Sequence, residues 1–196
     1  MFTQRDEEKY ILKFFKNTKE RFLDIGAYDG QCFSTTRALF LQGWGGVCVE
    51  PSITVLPALR NRYQEVNNVD ILECAISGVD GEVDFYDSGG DMISSVLPSH
   101  AKMWESKAGC TFTKMKVASL TVLSLFEKIG YDFSFISLDV EGTNLEIIRQ
   151  FPFEKLKKTK MLCVEFDYKD NEILKLVKPY RFREYHRTAE NLLLVR

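Results

Sequence analysis

Apolar residues along this chain occur in short runs, and each run carries an acidic residue at or near its carboxyl end. The five clearest runs are 21–25, 45–50, 69–76, 133–139 and 161–165. Short apolar runs bounded by glycine or polar residues are typical of buried strands. The pattern therefore predicts at least five strands with acidic residues at the same end.

Segments with helical spacing, or with helix start and stop signals, separate the predicted strands. Pro51-Ser52 opens one such segment, and Gly43 and Gly130 end two others. The predicted helices lie at 5–17, 31–42, 52–64, 120–129, 144–150 and 171–177. Strands that alternate with helices in this way predict an α/β fold with a doubly wound parallel sheet and right-handed crossovers.

Two stretches depart from this alternation. Residues 180–186 and 192–195 predict two final strands, and their short connection implies an antiparallel pair. Residues 77–117 contain glycines between short extended pieces and predict a loop-rich insertion. This insertion is either a surface embellishment or a lid that lines an acceptor site. We expect 1–196 to be a single domain, with a helix in 1–18 packed against it.

Composition and charge narrow the class of protein. The 196 residues have a formal net charge of −2, which gives no reason to expect nucleic acid as the main partner. Cys48, Cys74 and Cys163 fall within strand-like runs, so we expect buried, reduced thiols rather than disulfides or structural zinc. No apolar run reaches about 18 residues and no signal peptide is evident, so we expect no membrane span and a cytoplasmic location.

The turn after the first strand is the best candidate for a ligand site. Gly26 and Gly30 stand four residues apart, and glycine lets a backbone turn sharply and approach a bound group. A plain strand–turn–helix junction is the alternative. Because ligands of parallel sheets bind beyond the carboxyl ends of the strands, we expect Asp24, Glu50 and Glu73 to share one site.

The spacing of these glycines argues against a dinucleotide. A dinucleotide site prefers G-x-G-x-x-G, and Asp29 would place a negative charge where the pyrophosphate should bind. S-adenosylmethionine fits better, because it lacks phosphates and carries an amino group and a sulfonium. Glu50 would accept hydrogen bonds from both ribose hydroxyls. Cys74 and Ala75 would present backbone groups to the adenine, with Glu73 as a partner for its amino group.

Several sequence blocks follow one another in an order that one family shares. They are Phe22–Gly30, Val49–Pro51, Ala75–Ser77, Leu138–Gly142, Cys163–Phe166 and the closing Asn191-Leu192-Leu193. Together they resemble the FkbM family of S-adenosylmethionine-dependent methyltransferases. The resemblance implies the Rossmann-like class I methyltransferase fold, with a seven-stranded, mostly parallel sheet, an antiparallel last strand and helices on both faces. It also implies methyl transfer to a hydroxyl, commonly on a sugar, glycolipid or polyketide-like acceptor.

Two acids after the fourth strand are the first candidates for catalysis. Asp139 would position the cofactor, and Glu141 would act as base or bind substrate; Glu165 would approach from the next strand. Alternatively, Glu141 caps the following helix or pairs with a basic residue. The residues predicted to bind the cofactor are Asp24, Gly26, Ala27, Tyr28, Gly30, Glu50, Pro51, Glu73, Cys74, Ala75 and Asp139.

The first motif is also similar to catechol-type O-methyltransferases, in which acids after the fourth and fifth strands bind Mg²⁺. Asp139 and Glu165 match those positions, and carboxylates suit this ion. Phe166 stands where that class has an amide ligand, and Gly142 where it has a lysine. We therefore predict no metal ligand, and Mg²⁺ stays an alternative.

The acceptor side of the site is less well specified by the sequence. Of the two histidines, we expect His186, beside Tyr185, to face the acceptor rather than His100. The expected acceptor is a small molecule or a glycan, of undetermined identity. Two other functions stay open: a non-catalytic module that binds the cofactor or another nucleoside, and an NAD-dependent oxidoreductase, which the glycine spacing disfavours. The oligomeric state stays undetermined.

Overall fold

The computed structural model describes residues 1–65 and 67–196, and strands alternate with helices through most of that length. The strands are β1 (Arg21–Ile25), β2 (Gly45–Val49), β3 (Val69–Leu72), β4 (Ala75–Ile76), β5 (Gly81–Asp87), β6 (Thr113–Leu120), β7 (Phe135–Leu138), β8 (Met161–Glu165), β9 (Arg183–Arg187) and β10 (Asn191–Val195). The helices are α1 (Glu7–Phe15), α2 (Arg37–Leu41), α3 (Leu56–Tyr63), α4 (Pro98–Ala108), α5 (Val122–Ile129), α6 (Asn144–Ile148) and α7 (Asp170–Val177).

Seven strands form one sheet in the order β3-β2-β1-β7-β8-β10-β9. The last strand, β10, runs antiparallel to β8 and β9, whereas the other recorded neighbours are parallel. The predicted mostly parallel sheet with an antiparallel last strand is therefore confirmed. Because β1 lies between β2 and β7, the strand order reverses at β1, and ligands of such sheets bind at this point.

Helices cover both faces of this sheet, as the resemblance implied. On one face, α1, α2 and α3 surround the buried aromatic side chains of Phe15, Phe22 and Trp44. On the other face, α5, α6 and α7 pack around Phe126 and the inner side chains of the strands. Neighbouring residues of a strand point to opposite faces, so Phe22 belongs to the first layer and Leu23 to the second.

A second sheet, in the order β4-β6-β5, lies within and beside the predicted insertion. Its long pair, β5 and β6, is antiparallel. The 11-residue helix α4 lies between these strands in sequence, where we predicted a loop-rich insertion. The predicted strand 69–76 is wrong as one element, because β3 pairs with β2 whereas β4 pairs with β6. The residues between them carry the chain from one sheet to the other.

Two helices begin later than the sequence predicted. Residues 31–36 are turns, because Phe33 adopts a φ of 53° and the Ser34 hydroxyl accepts a hydrogen bond from the Arg37 amide at 3.0 Å. The helix expected from residue 52 begins at Leu56. Ser52 directs its hydroxyl to Asp87 of β5 at 2.5 Å instead of capping that helix.

The N-terminal segment is tied to the β9–β10 connection. Glu7 of α1 is buried and accepts hydrogen bonds from Thr188 at 2.8 Å and Asn191 at 3.2 Å. Arg5 pairs with Glu190 at 3.2 Å. In the described ranges no helix combines the length and apolar character that crossing a membrane requires. The three cysteines predicted to be buried thiols are buried and free.

Candidate functional site

A cavity of about 570 Å³ opens at the carboxyl edge of the parallel strands, where the strand order reverses. Loops that follow β1, β2, β7 and β8 line its floor, and the segment between β5 and α4 lines its other side. The cavity brings together most of the residues predicted to bind the cofactor or act in catalysis. These are Asp24, Gly26, Ala27, Tyr28, Glu50, Pro51, Cys74, Ala75, Asp139, Glu141 and Glu165.

The turn after β1 is packed tightly against the loop after β7. A Cβ atom on Gly26 would lie 1.6 Å from the carbonyl oxygen of Asp139, and the φ of Gly26 is 86°. The Gly26 amide donates to the Val49 carbonyl at 2.9 Å. Glycine is therefore required here by its neighbours as well as by its own conformation.

Two predicted residues lie away from the cavity lining. Gly30 closes the turn by donating its amide hydrogen bond to Ala27 at 3.0 Å. A Cβ atom at Gly30 would meet Leu59 and Tyr63 at 2.9 Å, so this glycine faces the protein layer behind the site. Glu73 forms an exposed ion pair with Arg60. The structure does not bring either residue to the other predicted ones.

Asp24 and Glu50 are buried carboxyls held by short hydrogen bonds. Thr36 donates its hydroxyl to Asp24 at 2.6 Å. The backbone amides of Tyr28 and Ser52 donate to separate oxygens of Glu50, at 2.9 and 2.8 Å. Burial, with nearby acids adding to it, raises the pKa of Asp24 to about 7 and the pKa of Glu50 to about 7. A positively charged ligand would favour the ionised form of both.

Asp139, Glu141 and Glu165 form a second group of acids in the same cavity. One carboxylate oxygen from each lies within 4.8 Å of the others. Loss of surrounding water raises the pKa of all three carboxyls, and their mutual repulsion raises those of Glu141 and Glu165 further. At neutral pH the three carboxyls therefore share protons. Because their pKa values are raised, a carboxylate that forms among them is a stronger base than an exposed carboxylate.

Three carboxylate oxygens this close could also hold a cation, and the hydrogen bonds of the neighbouring Asn144 indicate whether they do. Its amide nitrogen donates to Glu165 at 2.9 Å and to Asp167 at 3.0 Å. Its oxygen accepts a hydrogen bond from the Val140 amide at 2.9 Å. Because Asn144 turns its donor toward the carboxylates and its oxygen is already used, it fits a proton-sharing group better than a Mg²⁺ site.

Helix α4 brings a histidine to the site that the sequence did not favour. His100 Nε2 lies 3.4 Å from Glu141 Oε2, and burial lowers the pKa of His100, so its ring is neutral near neutral pH. The expectation for His186 was wrong: it contacts Asp6 at 2.8 Å and stacks on Tyr10. The sequence does contain a sign of the helix that carries His100. Pro98 is typical of a helix start and predicts an ordered helix rather than a loop.

Two more residues of the predicted insertion contribute to the site. Ser95 donates its hydroxyl to the backbone carbonyl of Glu141 at 2.7 Å, and Trp104 of α4 lines the cavity. Glu141 has a φ of 53°, an uncommon conformation for a residue other than glycine. The Ser95 contact therefore helps to hold the turn that carries Glu141. Residues of the insertion therefore line the cavity.

The cavity is lined by acids without basic side chains. No lysine, arginine or histidine occurs among its lining residues within 1–65 and 67–196. Phosphate sites in proteins are built from basic side chains and free backbone amides. This lining favours a cationic or neutral ligand. The acids are Glu7, Asp24, Glu50, Asp91, Asp139, Glu141, Glu165 and Glu190.

Comparison with known proteins gives a family match but no curated relative. A family model described as the methyltransferase FkbM domain matches residues 24–185. No curated protein matches the chain in sequence. The matched region includes the turn after β1, the acids after β2, β7 and β8, and the insertion, so the family match covers most of the cavity lining.

Solved structures with similar folds are methyltransferases that share little sequence with this chain. The FkbM methyltransferase of Methylobacillus flagellatus KT has a TM-score of 0.51 and 16% identity, over 91% of this chain and 44% of its own. The chain thus spans less than half of that relative. Precorrin-6y C5,15-methyltransferase of Geobacter metallireducens GS-15 has a TM-score of 0.53 and 9% identity, over 99% of this chain and 88% of its own. An rRNA methylase of Streptococcus thermophilus has a TM-score of 0.51 and 10% identity, over 95% of this chain and 90% of its own. At such identities the likeness shows the fold alone.

Proposed function

The chain belongs to the FkbM methyltransferase family, and from this premise we propose that it transfers a methyl group from S-adenosylmethionine to a hydroxyl of a small-molecule or glycan acceptor. The observation that carries the proposal is the meeting of the glycine turn, Glu50 and the acids after β7 and β8 around one cavity. We further propose that residues 1–196 act as one domain and that the buried free thiols reflect a reducing, cytoplasmic location.

The donor half of the cavity is proposed to lie along β1, β2 and β4. Glu50 keeps unused lone pairs on both oxygens, although each already accepts a backbone hydrogen bond, and can accept from ribose hydroxyls. Cys74 and Ala75 would border the adenine. Asp24 and Asp139 would attract the positive charges of the donor. When bound, S-adenosylmethionine supplies a methyl group activated by a positively charged sulfur.

The same region is unsuited to a dinucleotide. The carboxylate of Asp29 accepts hydrogen bonds from the amides of Gln31 at 2.8 Å and Cys32 at 2.7 Å. These amides would otherwise be free to bind a pyrophosphate. The acidic lining adds repulsion. This geometry supports a methyl donor over the NAD-dependent oxidoreductase that the sequence left open.

The acceptor half is proposed to lie at Asp139, Glu141 and Glu165. A hydroxyl becomes a better nucleophile if a nearby base takes its proton as the new carbon–oxygen bond forms. Glu141 is the proposed base, because its side chain lines the cavity and remains 23% exposed, within reach of an acceptor. Glu165, fixed by Asn144, would help to hold the acceptor in line with the methyl group.

Calorimetric titration with S-adenosylhomocysteine and with NAD tests the proposed donor site. We expect one S-adenosylhomocysteine to bind per chain, no saturable binding of NAD, and an affinity loss of about tenfold or more for Glu50→Ala. Glu73→Ala is the matched control, because Glu73 pairs with Arg60 away from the cavity and should leave the affinity unchanged. NAD binding without S-adenosylhomocysteine binding would refute the proposal. Binding without methyl transfer to any acceptor would favour the non-catalytic module.

A further inference from the structure

Three polar side-chain atoms at the acceptor end of the cavity have no hydrogen-bond partner in the part of the chain that the structure describes. They are Trp104 Nε1 and Thr143 Oγ1, which line the cavity, and His100 Nε2, which lies outside the lining and 3.4 Å from Glu141 Oε2 without hydrogen-bond geometry; each atom is buried from solvent. Buried polar groups are normally paired, and an unpaired one is costly. Three such atoms around one end of a cavity indicate a place that a ligand completes.

The three side chains come from two neighbouring segments. His100 and Trp104 are four residues apart on α4, so they lie on the same face of the helix, and their ring centroids are 6.4 Å apart. Trp104 and Thr143 line the cavity. The turn that precedes Thr143 packs against the start of α4, since a Cβ atom on Gly142 would lie 3.4 Å from His100 Nδ1.

The groups present at this corner define the chemistry of a matching ligand. The indole of Trp104 offers an N–H donor and an apolar ring face, and Nε2 of neutral His100, whose other ring nitrogen hydrogen-bonds the Ile93 backbone, offers a lone pair. Glu141 and Glu165 offer acceptor oxygens. Hydroxyl groups can both accept from such donors and donate to such acceptors. The carboxylates repel an anion, and no basic side chain in the described lining would offset that repulsion.

We propose that His100, Trp104 and Thr143 form the acceptor subsite, and that it takes a hydroxylated ring compound that carries no negative charge. The Trp104 N–H donates to an oxygen of the acceptor, His100 Nε2 accepts from one of its hydroxyls, and the indole packs against the ring's apolar face. His100 also lies beside Glu141, so binding there brings an acceptor hydroxyl to the proposed base. This inference rests on the proposed function and specifies its substrate class.

Binding measurements at saturating S-adenosylhomocysteine test the subsite. The probes are methyl glucoside, glucosamine and glucuronic acid, which share a hydroxylated ring and are neutral, cationic and anionic. Calorimetry and tryptophan fluorescence follow their binding. We expect methyl glucoside or glucosamine to bind more tightly than glucuronic acid. Tightest binding of glucuronic acid, or no binding of either other probe, would overturn the proposal.

Variants of α4 separate the subsite from a structural role. Trp104→Phe keeps an aromatic ring but removes the N–H, and should weaken probe binding about three- to tenfold. His100→Phe should do the same, whereas His100→Asn retains an acceptor oxygen and should recover part of the loss. Lys102→Ala, on the exposed side of the helix, is the matched control. Unchanged probe affinity in Trp104→Phe and His100→Phe would overturn the proposal.

S-adenosylhomocysteine affinity distinguishes failure of this inference from failure of the proposed function. All four variants should bind S-adenosylhomocysteine within about twofold of the parent chain, since none of these residues borders the proposed donor half. If the parent chain does not bind S-adenosylhomocysteine, the proposed function itself fails. The parent chain can bind S-adenosylhomocysteine while the probes favour glucuronic acid or bind equally well to the α4 variants. In that case only the acceptor subsite fails.

Discussion

The stability of the ligand-free protein should fall as pH rises from about 5 to about 8. Asp24 and Glu50 are buried, and their pKa values rise from 3.8 and 4.5 to about 7. Between the unfolded and folded pKa values, the folded state keeps protons that the unfolded state has released. The unfolding free energy therefore decreases through this window, and Glu141, whose pKa rises to about 9, continues the decrease above about pH 8.

Asp24 and Glu50 contribute to this effect together with Asp139, Glu141 and Glu165, whose pKa values burial also raises. Each pKa unit corresponds to about 1.4 kcal/mol, so a rise of about three units at Asp24 amounts to about 4 kcal/mol. Part of each rise comes from repulsion between the same acids, so we expect a combined loss of several kcal/mol rather than a simple sum. His100 acts in the opposite direction, because burial lowers its pKa, but it is a single group.

Urea unfolding followed by circular dichroism, at about pH 5, 6, 7 and 8, measures this dependence. Asp24→Asn is the informative variant, because its amide oxygen can still accept the Thr36 hydroxyl hydrogen bond. At about pH 8 the substitution should stabilise the ligand-free protein by about 2–4 kcal/mol, and at about pH 5 by only about 1–2 kcal/mol. Stability that is flat or rises with pH, or an Asp24→Asn profile parallel to that of the parent, would refute the reasoning.

Three further predictions concern catalysis, the glycine turn and metal dependence. Glu141→Gln should lower kcat about a hundredfold to a thousandfold with S-adenosylhomocysteine affinity unchanged, because it removes the proposed base; an unchanged rate in a steady-state assay would assign that role elsewhere. Gly26→Ala should cost at least about 2 kcal/mol in urea unfolding, because its Cβ would lie 1.6 Å from the Asp139 carbonyl oxygen. Gly78→Ala, where a Cβ meets nothing within 4 Å, should cost far less, and equal losses would contradict the packing argument. Methyl transfer should persist in EDTA, because Asn144 presents its donor to the acids; activity lost in EDTA and restored by Mg²⁺ would contradict this.

The large sheet could be predicted from the sequence because its strands are short apolar runs with an acid near the carboxyl end. The parallel arrangement then places those acids on one edge without any knowledge of side-chain packing. Asp24, Glu50 and Asp139 border one cavity for this reason. Glu73 does not, because the chain leaves the large sheet after β3 and this side chain turns toward Arg60.

The second sheet and α4 were less accessible to sequence reasoning. The residues 69–76 read as one strand, since nothing local shows that β4 pairs with β6, more than 40 residues later. His100 and Glu141 are about as far apart in sequence, so their contact depends on how the insertion folds back over the large sheet. Local patterns also missed the Ser34 contact that delays α2.

The central claim is that this cavity supports methyl transfer from S-adenosylmethionine. The most direct measurement follows S-adenosylmethionine that carries a trideuteromethyl group, in the presence of a mixed pool of hydroxylated small molecules. Mass spectrometry measures S-adenosylhomocysteine and the labelled products. We expect equal amounts of S-adenosylhomocysteine and a trideuteromethyl ether, both formed about a hundredfold or more slowly by Glu141→Gln. Label that appears on nitrogen or carbon instead of oxygen, or no transfer at all by a protein that binds S-adenosylhomocysteine, would contradict it.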